Sequence, residues 1–266
     1  MLTLLLALAC SDKDPATDSG ESDTDTDADA DSDTDTDTDA DTDVQTFNLS
    51  GFVTVEGGAG LESRMQLCAV SCRPGSSDAT GAYAFENATA SPTVHSFDIF
   101  PSDTDYAKVL LPVTYDADAT LSVTVPKNTS WIDIGASDSE VDLGGGLHVT
   151  LGTDNMSPPF GIDPTPGRAT QVDSSIWPDV QLLEGELVGL WYLDPYDTYS
   201  ADGEGFDFRI EASALPGAGP YKVWVMHYDT HELTSYWDAA GTLTVDGDWA
   251  TSDGKLPLLN TIAITE

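Results

Sequence analysis

From Val44 to the C-terminus, the apolar residues of this chain fall at alternate positions in short runs. Gly, Pro, Asn or Asp interrupts the runs about every ten residues. Alternation sends side chains to opposite sides of an extended backbone, so each run reads as a strand with one face to bury. No long stretch spaces its apolar residues three and four apart, as a helix facing a core requires. The expected fold class is therefore all-β: two antiparallel β-sandwich modules behind a disordered Asp/Thr-rich tether. The first module covers residues 45–130, with candidate strands at 47–55, 64–68, 82–85, 94–99, 108–115 and 119–125. The second covers 168–266, with candidates at 187–193, 206–212, 221–228, 233–237, 241–245 and 260–265. Between them, 131–167 reads as a connecting segment. It holds the Gly144-Gly145-Gly146 run, a short candidate strand at 148–151, and Pro158, Pro159, Pro164 and Pro166.

The tether, 11–44, carries the opposite signal. From Asp23 to Asp43, Asp alternates with Thr, Ala or Ser, and nothing apolar is larger than alanine. Neither face of such a strand could be buried, and like charges repel, so an extended disordered stalk is expected. Fourteen Asp, one Glu and one Lys lie between Ser11 and Asp43. The remainder still holds 32 acidic against 8 basic residues. With a net charge of −38 and no basic stripe, the chain repels phosphate backbones, so nucleic acid is excluded as a partner.

The first ten residues, Met1 to Cys10, are an apolar run too short to span a bilayer but long enough for a signal-peptide core ending in small residues. The run and its cysteine resemble the cleavage box of bacterial lipoproteins, in which that cysteine is acylated. Ala7 and Leu8 stand where the box usually has leucine and a small residue, and no basic residue precedes the run. The Asp/Thr stalk is similar to those of bacterial surface lipoproteins. The resemblance implies lipidation at Cys10, attachment to a membrane through the lipid alone, and display at the bacterial cell envelope, on the outer membrane surface. It also leaves Cys68 and Cys72 as a pair in an oxidising compartment. Four extended residues span about 13 Å, whereas a disulfide needs Cα atoms within about 7 Å. Pairing therefore requires 69–71 to turn back; the alternative is a reduced pair.

The segments Leu49-Ser50-Gly51-Phe52-Val53-Thr54-Val55, Met65-Gln66-Leu67-Cys68 and Asp78-Ala79-Thr80-Gly81-Ala82-Tyr83-Ala84-Phe85 follow one another in a suggestive order. They resemble a carboxypeptidase regulatory-like domain, a small transthyretin-like β-sandwich. The resemblance implies an accessory module without catalytic residues, and it covers less than a third of the chain. On physical grounds, Gly81 can take a left-handed turn, and Tyr83 and Phe85 then point to one face.

Three clusters could carry chemistry. In the first, His227-Tyr228-Asp229-Thr230-His231-Glu232, an extended backbone would align His227, Asp229 and His231 for a metal or a hydrolytic site; a hairpin turn at Asp229 would splay them apart. In the second, the loop from Asp194 to Glu204, the residues Asp197, Asp202 and Glu204 are candidate calcium ligands; apart from that calcium no cofactor is expected. The third is the C-terminal aromatics. Trp191, Tyr196, Tyr199 and Trp237 are candidate ligand-binding rings for an extracellular glycan or protein, against the simpler expectation that alternate rings fill the core. His95 and His148 stand alone within strands, and no nucleophile elbow or phosphate loop is present. The leading functional reading is a non-catalytic cell-surface lipoprotein that binds or supports. The alternatives are a carbohydrate-binding module using the C-terminal rings and a secreted hydrolase with a site around 227–232.

Overall fold

Phe47, Leu49 and Val53 recur on one face of β1 (Thr46–Val55) and are fully buried there. This computed structural model describes residues 45–90, 94–159, 163–231 and 233–266. The expected signal segment with Cys10, the tether through residue 44, and Glu232 lie outside the described residues. Strand β1 pairs antiparallel with β4 (Ala82–Thr89) and parallel with β7 (Ala119–Thr120) and β8 (Val123–Val125). A second sheet runs in the order β3 (Ser71–Ser77), β2 (Ser63–Ala69), β5 (His95–Pro101), β6 (Val109–Val113). The two sheets bury one core between them, in which Phe47, Met65, Tyr83, Phe97 and Val123 meet. That arrangement is a β-sandwich, with the parallel pairing of β1 to β7 and β8 as a departure from all-antiparallel order.

The turn before β4 forms as its residues require. Asp78 Oδ1 accepts from the amide of Thr80 at 2.8 Å, its hydroxyl at 2.6 Å and the amide of Ala82 at 3.1 Å. Gly81 follows at φ +82°, where a Cβ would strike the carbonyl oxygen of Val53. Tyr83 and Phe85 then enter the core together and both rings contact Phe97. The strand that sequence patterning misses is β3. Its Pro74 has no N–H and would disrupt a central strand, but among the described residues β3 is an edge paired with β2 alone. The hairpin between them turns at Val70, and Cys68 and Cys72 face each other across it in a disulfide, with Cα atoms 3.9 Å apart.

The second region is also built on strands, joined by loops and single 3-10 turns. One antiparallel sheet of nine runs β12 (Arg168–Gln171), β13 (Leu187–Asp194), β20 (Ile262–Thr265), β16 (Tyr221–Asp229), β17 (Thr234–Asp246), β18 (Trp249–Ser252), β15 (Phe208–Glu211), β10 (Leu147–Leu151), β9 (Ser139–Gly144). Its end strands β12 and β9 pack against each other, so the sheet curls around its own core. A three-stranded sheet, β11 (Met156–Ser157), β14 (Thr198–Ser200) and β19 (Leu258–Leu259), contributes Met156, Leu258 and Leu259 to that core. Strands β12, β14 and β18 lie outside the expected set, and two further features differ from the expectation. Residues 139–151, within the segment expected to connect, form the hairpin β9–β10, because the glycine run supplies positive φ at Gly144, Gly145 and Gly146 for a tight reversal. The candidates 233–237 and 241–245 are one strand, β17. Ala240 bulges out of register between Ala239, opposite Trp224, and Gly241, opposite Val223.

The two regions share packing rather than hanging as separate beads. Val172, Leu190, Tyr192 and Ala263 of the second join the core of the first. Thr261 Oγ1 donates to the carbonyl of Leu110 at 2.9 Å. Lys108 meets Asp194 at 2.7 Å, and Asp194 also pairs with the buried Arg168 at 3.2 Å. The consequence falls on β5, where residues 95–99 are all buried. Phe97 and Ile99 face the core, while Ser96 and Asp98 face the second region.

Candidate functional site at the junction of the two regions

Strands β2, β5 and β6 set Gln66, Asp98 and Leu110 side by side, since Asp98 is in register with both of the others. Phe100 lies two residues along the same face of β5. Opposite them stand Tyr196 and Asp197 from the loop after β13, Tyr199 from β14, Tyr228 from β16, and Thr230 and Pro159. These ten residues line a cleft of about 230 Å³. A second, more open groove of about 640 Å³ runs past Asp173, Trp177 and Glu186. Asp173 there is already bonded to the amide and hydroxyl of Ser175, and no ring cluster faces it.

Two carboxyl groups set the chemistry of the smaller cleft. Asp98 is 6% exposed, and Ser96 Oγ donates to its Oδ1 at 2.6 Å. Burial pushes its pKa up to about 7; the Ser96 bond opposes this, and the charge of Asp197 adds to it. Asp197 sits in the left-handed region at φ 52°, a conformation that Asp tolerates better than most side chains. It accepts from Nδ2 of the fully buried Asn260, and burial raises its pKa to about 6 against that bond. Among the described residues neither carboxylate has a Lys, Arg or His within ion-pair distance.

The rings form the walls. Tyr196 packs 6.0 Å from Phe100, and Lys108 Nζ stands 5.0 Å over the Tyr196 ring without lining the cleft. Arg64 covers Phe100 at 4.8 Å. Tyr199, 38% exposed, shares a hydrogen bond of 3.2 Å with His227 Nε2, and His227 stacks on Tyr236 at 4.9 Å. The hydroxyl of Tyr228 is 3.7 Å from Cys72 Sγ, which puts the disulfide beside the cleft. Burial and the nearby carboxylates raise the pKa of Tyr196, Tyr199 and Tyr228, so all three hydroxyls stay protonated through the neutral range.

The structure sorts the residues singled out from the sequence. Tyr196, Tyr199 and Asp197 come together in the cleft. Trp191 does not: it is fully buried in the second core, with Nε1 donating to the Gly145 carbonyl at 3.0 Å. Its neighbour Tyr192 is buried in the first core, because both faces of β13 are covered. Trp237 packs against the first core and donates to the Gln181 carbonyl at 2.9 Å. The calcium trio also separates. Asp197 turns into the cleft, Asp202 accepts from the amide of Glu204 at 2.9 Å, and Glu204 approaches Lys255 at 4.0 Å. Among the described residues no three His, Cys, Asp or Glu side chains converge as a metal site. At 227–231 the hairpin forms: Asp229 Oδ1 accepts from the His231 amide at 2.7 Å, so His231 leaves the face that holds His227.

Asp98, Gln66 and Phe100 were not singled out from the sequence. Alternation does place Asp98 opposite Phe97 and Ile99, but an outward Asp on a strand reads as solvent-facing until a second sheet covers it. The fold and this cleft define an all-β protein with a ring-walled, carboxyl-bearing site at the junction of two regions. No family model matches the chain, and no curated protein matches it. One solved structure, a "putative carbohydrate binding protein" from Bacteroides uniformis, aligns over 83% of this chain and 79% of its own, with 8% identity and a TM-score of 0.27. A likeness of that size defines neither a shared fold nor a shared ligand.

Proposed function

We propose that this is an exported surface protein, anchored through lipid on Cys10, that holds a sugar ring in the junction cleft without cleaving it. The observation that carries the proposal is the cleft's composition: four aromatic rings, Phe100, Tyr196, Tyr199 and Tyr228, around the buried Asp98 and the half-buried Asp197. A sugar presents an apolar C–H face and a rim of hydroxyls, which such rings and carboxyl groups complement. The volume of about 230 Å³ is below the roughly 300–1,000 Å³ of sites for drug-sized ligands, which suits one ring rather than a chain. On this reading the first region is an accessory module of the carboxypeptidase regulatory-like kind.

A second reading is favoured by one observation. Asp98 holds its proton up to about pH 7, as a general acid in glycoside hydrolysis must. One screen separates the two. The full chain is melted against a panel of mono- and oligosaccharides while reducing ends are assayed. A ligand bound only by the folded state at a hundredfold excess over its Kd adds about 2.7 kcal/mol of stability. A midpoint rise without new reducing ends supports binding. New reducing ends that vanish in Asp98→Asn assign hydrolysis, and no response to any sugar removes both.

A further inference from the structure

The cleft carries more information than its rings. Among the described residues each carboxyl group receives one hydrogen bond from a side chain, Asp98 from Ser96 and Asp197 from Asn260. A carboxylate has room for about four. Arg64 stands over Phe100, and Lys108 pairs with Asp194 and stands over Tyr196, but among the described residues no basic side chain lines the cleft or pairs with either carboxyl group. A buried and a half-buried carboxyl group without a cation are costly in their ionised form, and a ligand that offers only hydroxyls leaves that cost in place. A ligand bearing a positive charge offsets it. The tyrosine faces add attraction of their own, because the ring quadrupole favours a cation. The same charges repel uronate, sulfated or phosphorylated sugars.

Resting on the reading that the cleft holds a sugar, we propose that the sugar it selects bears a protonated amine. The ammonium group is placed between Asp98 and Asp197, with the ring carbons against Tyr196, Tyr199 and Tyr228. This narrows the ligand from glycans at large to amino sugars with a free amine.

The test compares glucosamine, N-acetylglucosamine and glucose, each as monosaccharide and as β-1,4-linked trimer, by calorimetric titration of the full chain. Titrations are run at 0.15 M salt, where a Debye length of about 8 Å suppresses attraction to the acidic surface at large. The isosteric Asp197→Asn chain, checked by its melting profile, is titrated in parallel. Asn tolerates the same left-handed backbone and keeps an oxygen for Asn260. The expected result is that the amine form binds at least tenfold tighter than the N-acetyl and hydroxyl forms, and that Asp197→Asn removes most of that preference. Equal affinity for all three forms overturns the amine proposal and leaves the glycan reading intact. An amine preference unchanged in Asp197→Asn also overturns it, since the charge would then lie elsewhere. Absence of binding by every sugar overturns both.

Discussion

Asp98 and Asp197 come from the two different regions of the chain and line one cleft, where the charge of Asp197 helps hold the Asp98 carboxyl in its neutral form. Stability depends on this arrangement in a defined direction. Folded, Asp98 keeps its proton up to about pH 7; its ordinary value is 3.8. Between those values the folded chain holds a proton that the unfolded chain has lost, so the Asp98 contribution falls as pH rises and levels off above 7. Asp98→Asn removes that slope. Relative to the wild type it should gain on the order of 2–4 kcal/mol at pH 8 and little at pH 4, or roughly 5–10 °C in melting midpoint at the higher pH. Parallel melts of the two chains from pH 4 to 8 check this. Curves that stay a constant distance apart would contradict the raised pKa.

The aromatic residues divide into those that hold the fold and those that face the cleft. Trp191 has no exposed surface, so Trp191→Ala should cost about 3–5 kcal/mol. Tyr199 is 38% exposed, and Tyr199→Ala should stay within about 1 kcal/mol of the wild type while weakening any cleft ligand. Chemical denaturation of both variants tests the division. A large loss for Tyr199→Ala would mean the ring is structural.

The disulfide closes a very short loop, four residues apart in sequence. Chain entropy then limits its contribution to about 2 kcal/mol. Cys72→Ser should lower stability by no more than this and should leave the β2–β3 pairing formed, because that hairpin is held by its own ladder. Hydrogen exchange of the β2 amides in the variant reports the outcome, and wholesale loss of protection there would show the bond to be essential for the hairpin.

Much of the architecture was legible in the sequence, and for one reason. Several strands carry the period-two alternation with one face buried, as β1 does through Phe47, Leu49 and Val53 and β10 through Leu147, Val149 and Leu151. The Asp78–Gly81 turn was legible too, since its conformation is local. What was not legible depends on contacts made after the regions pack. β3 contains Pro74 and is a strand only because its outer edge is free. Trp191 and Tyr192 could both be buried only because both faces of β13 are covered, which alternation alone cannot reveal. Asp98 reads as a solvent-facing residue for the same reason, so half of the carboxyl pair was hidden. Tyr196, Tyr199 and Asp197 were visible as types, but their convergence with Asp98 is tertiary.

The proposed anchor makes a prediction independent of the cleft. In a bacterial host that processes lipoproteins, Cys10→Ala should move the protein from the membrane fraction to the soluble fraction. Unchanged membrane association of Cys10→Ala would remove the lipid from the account.

The central claim is that the junction cleft is the binding site, and calorimetric titration of wild type and Tyr199→Ala with the same saccharide addresses it most directly. The account predicts a saturable heat for the wild type and at least a tenfold weaker affinity for Tyr199→Ala, with both chains equally folded. Equal affinity in the two chains would place the binding site elsewhere and contradict it.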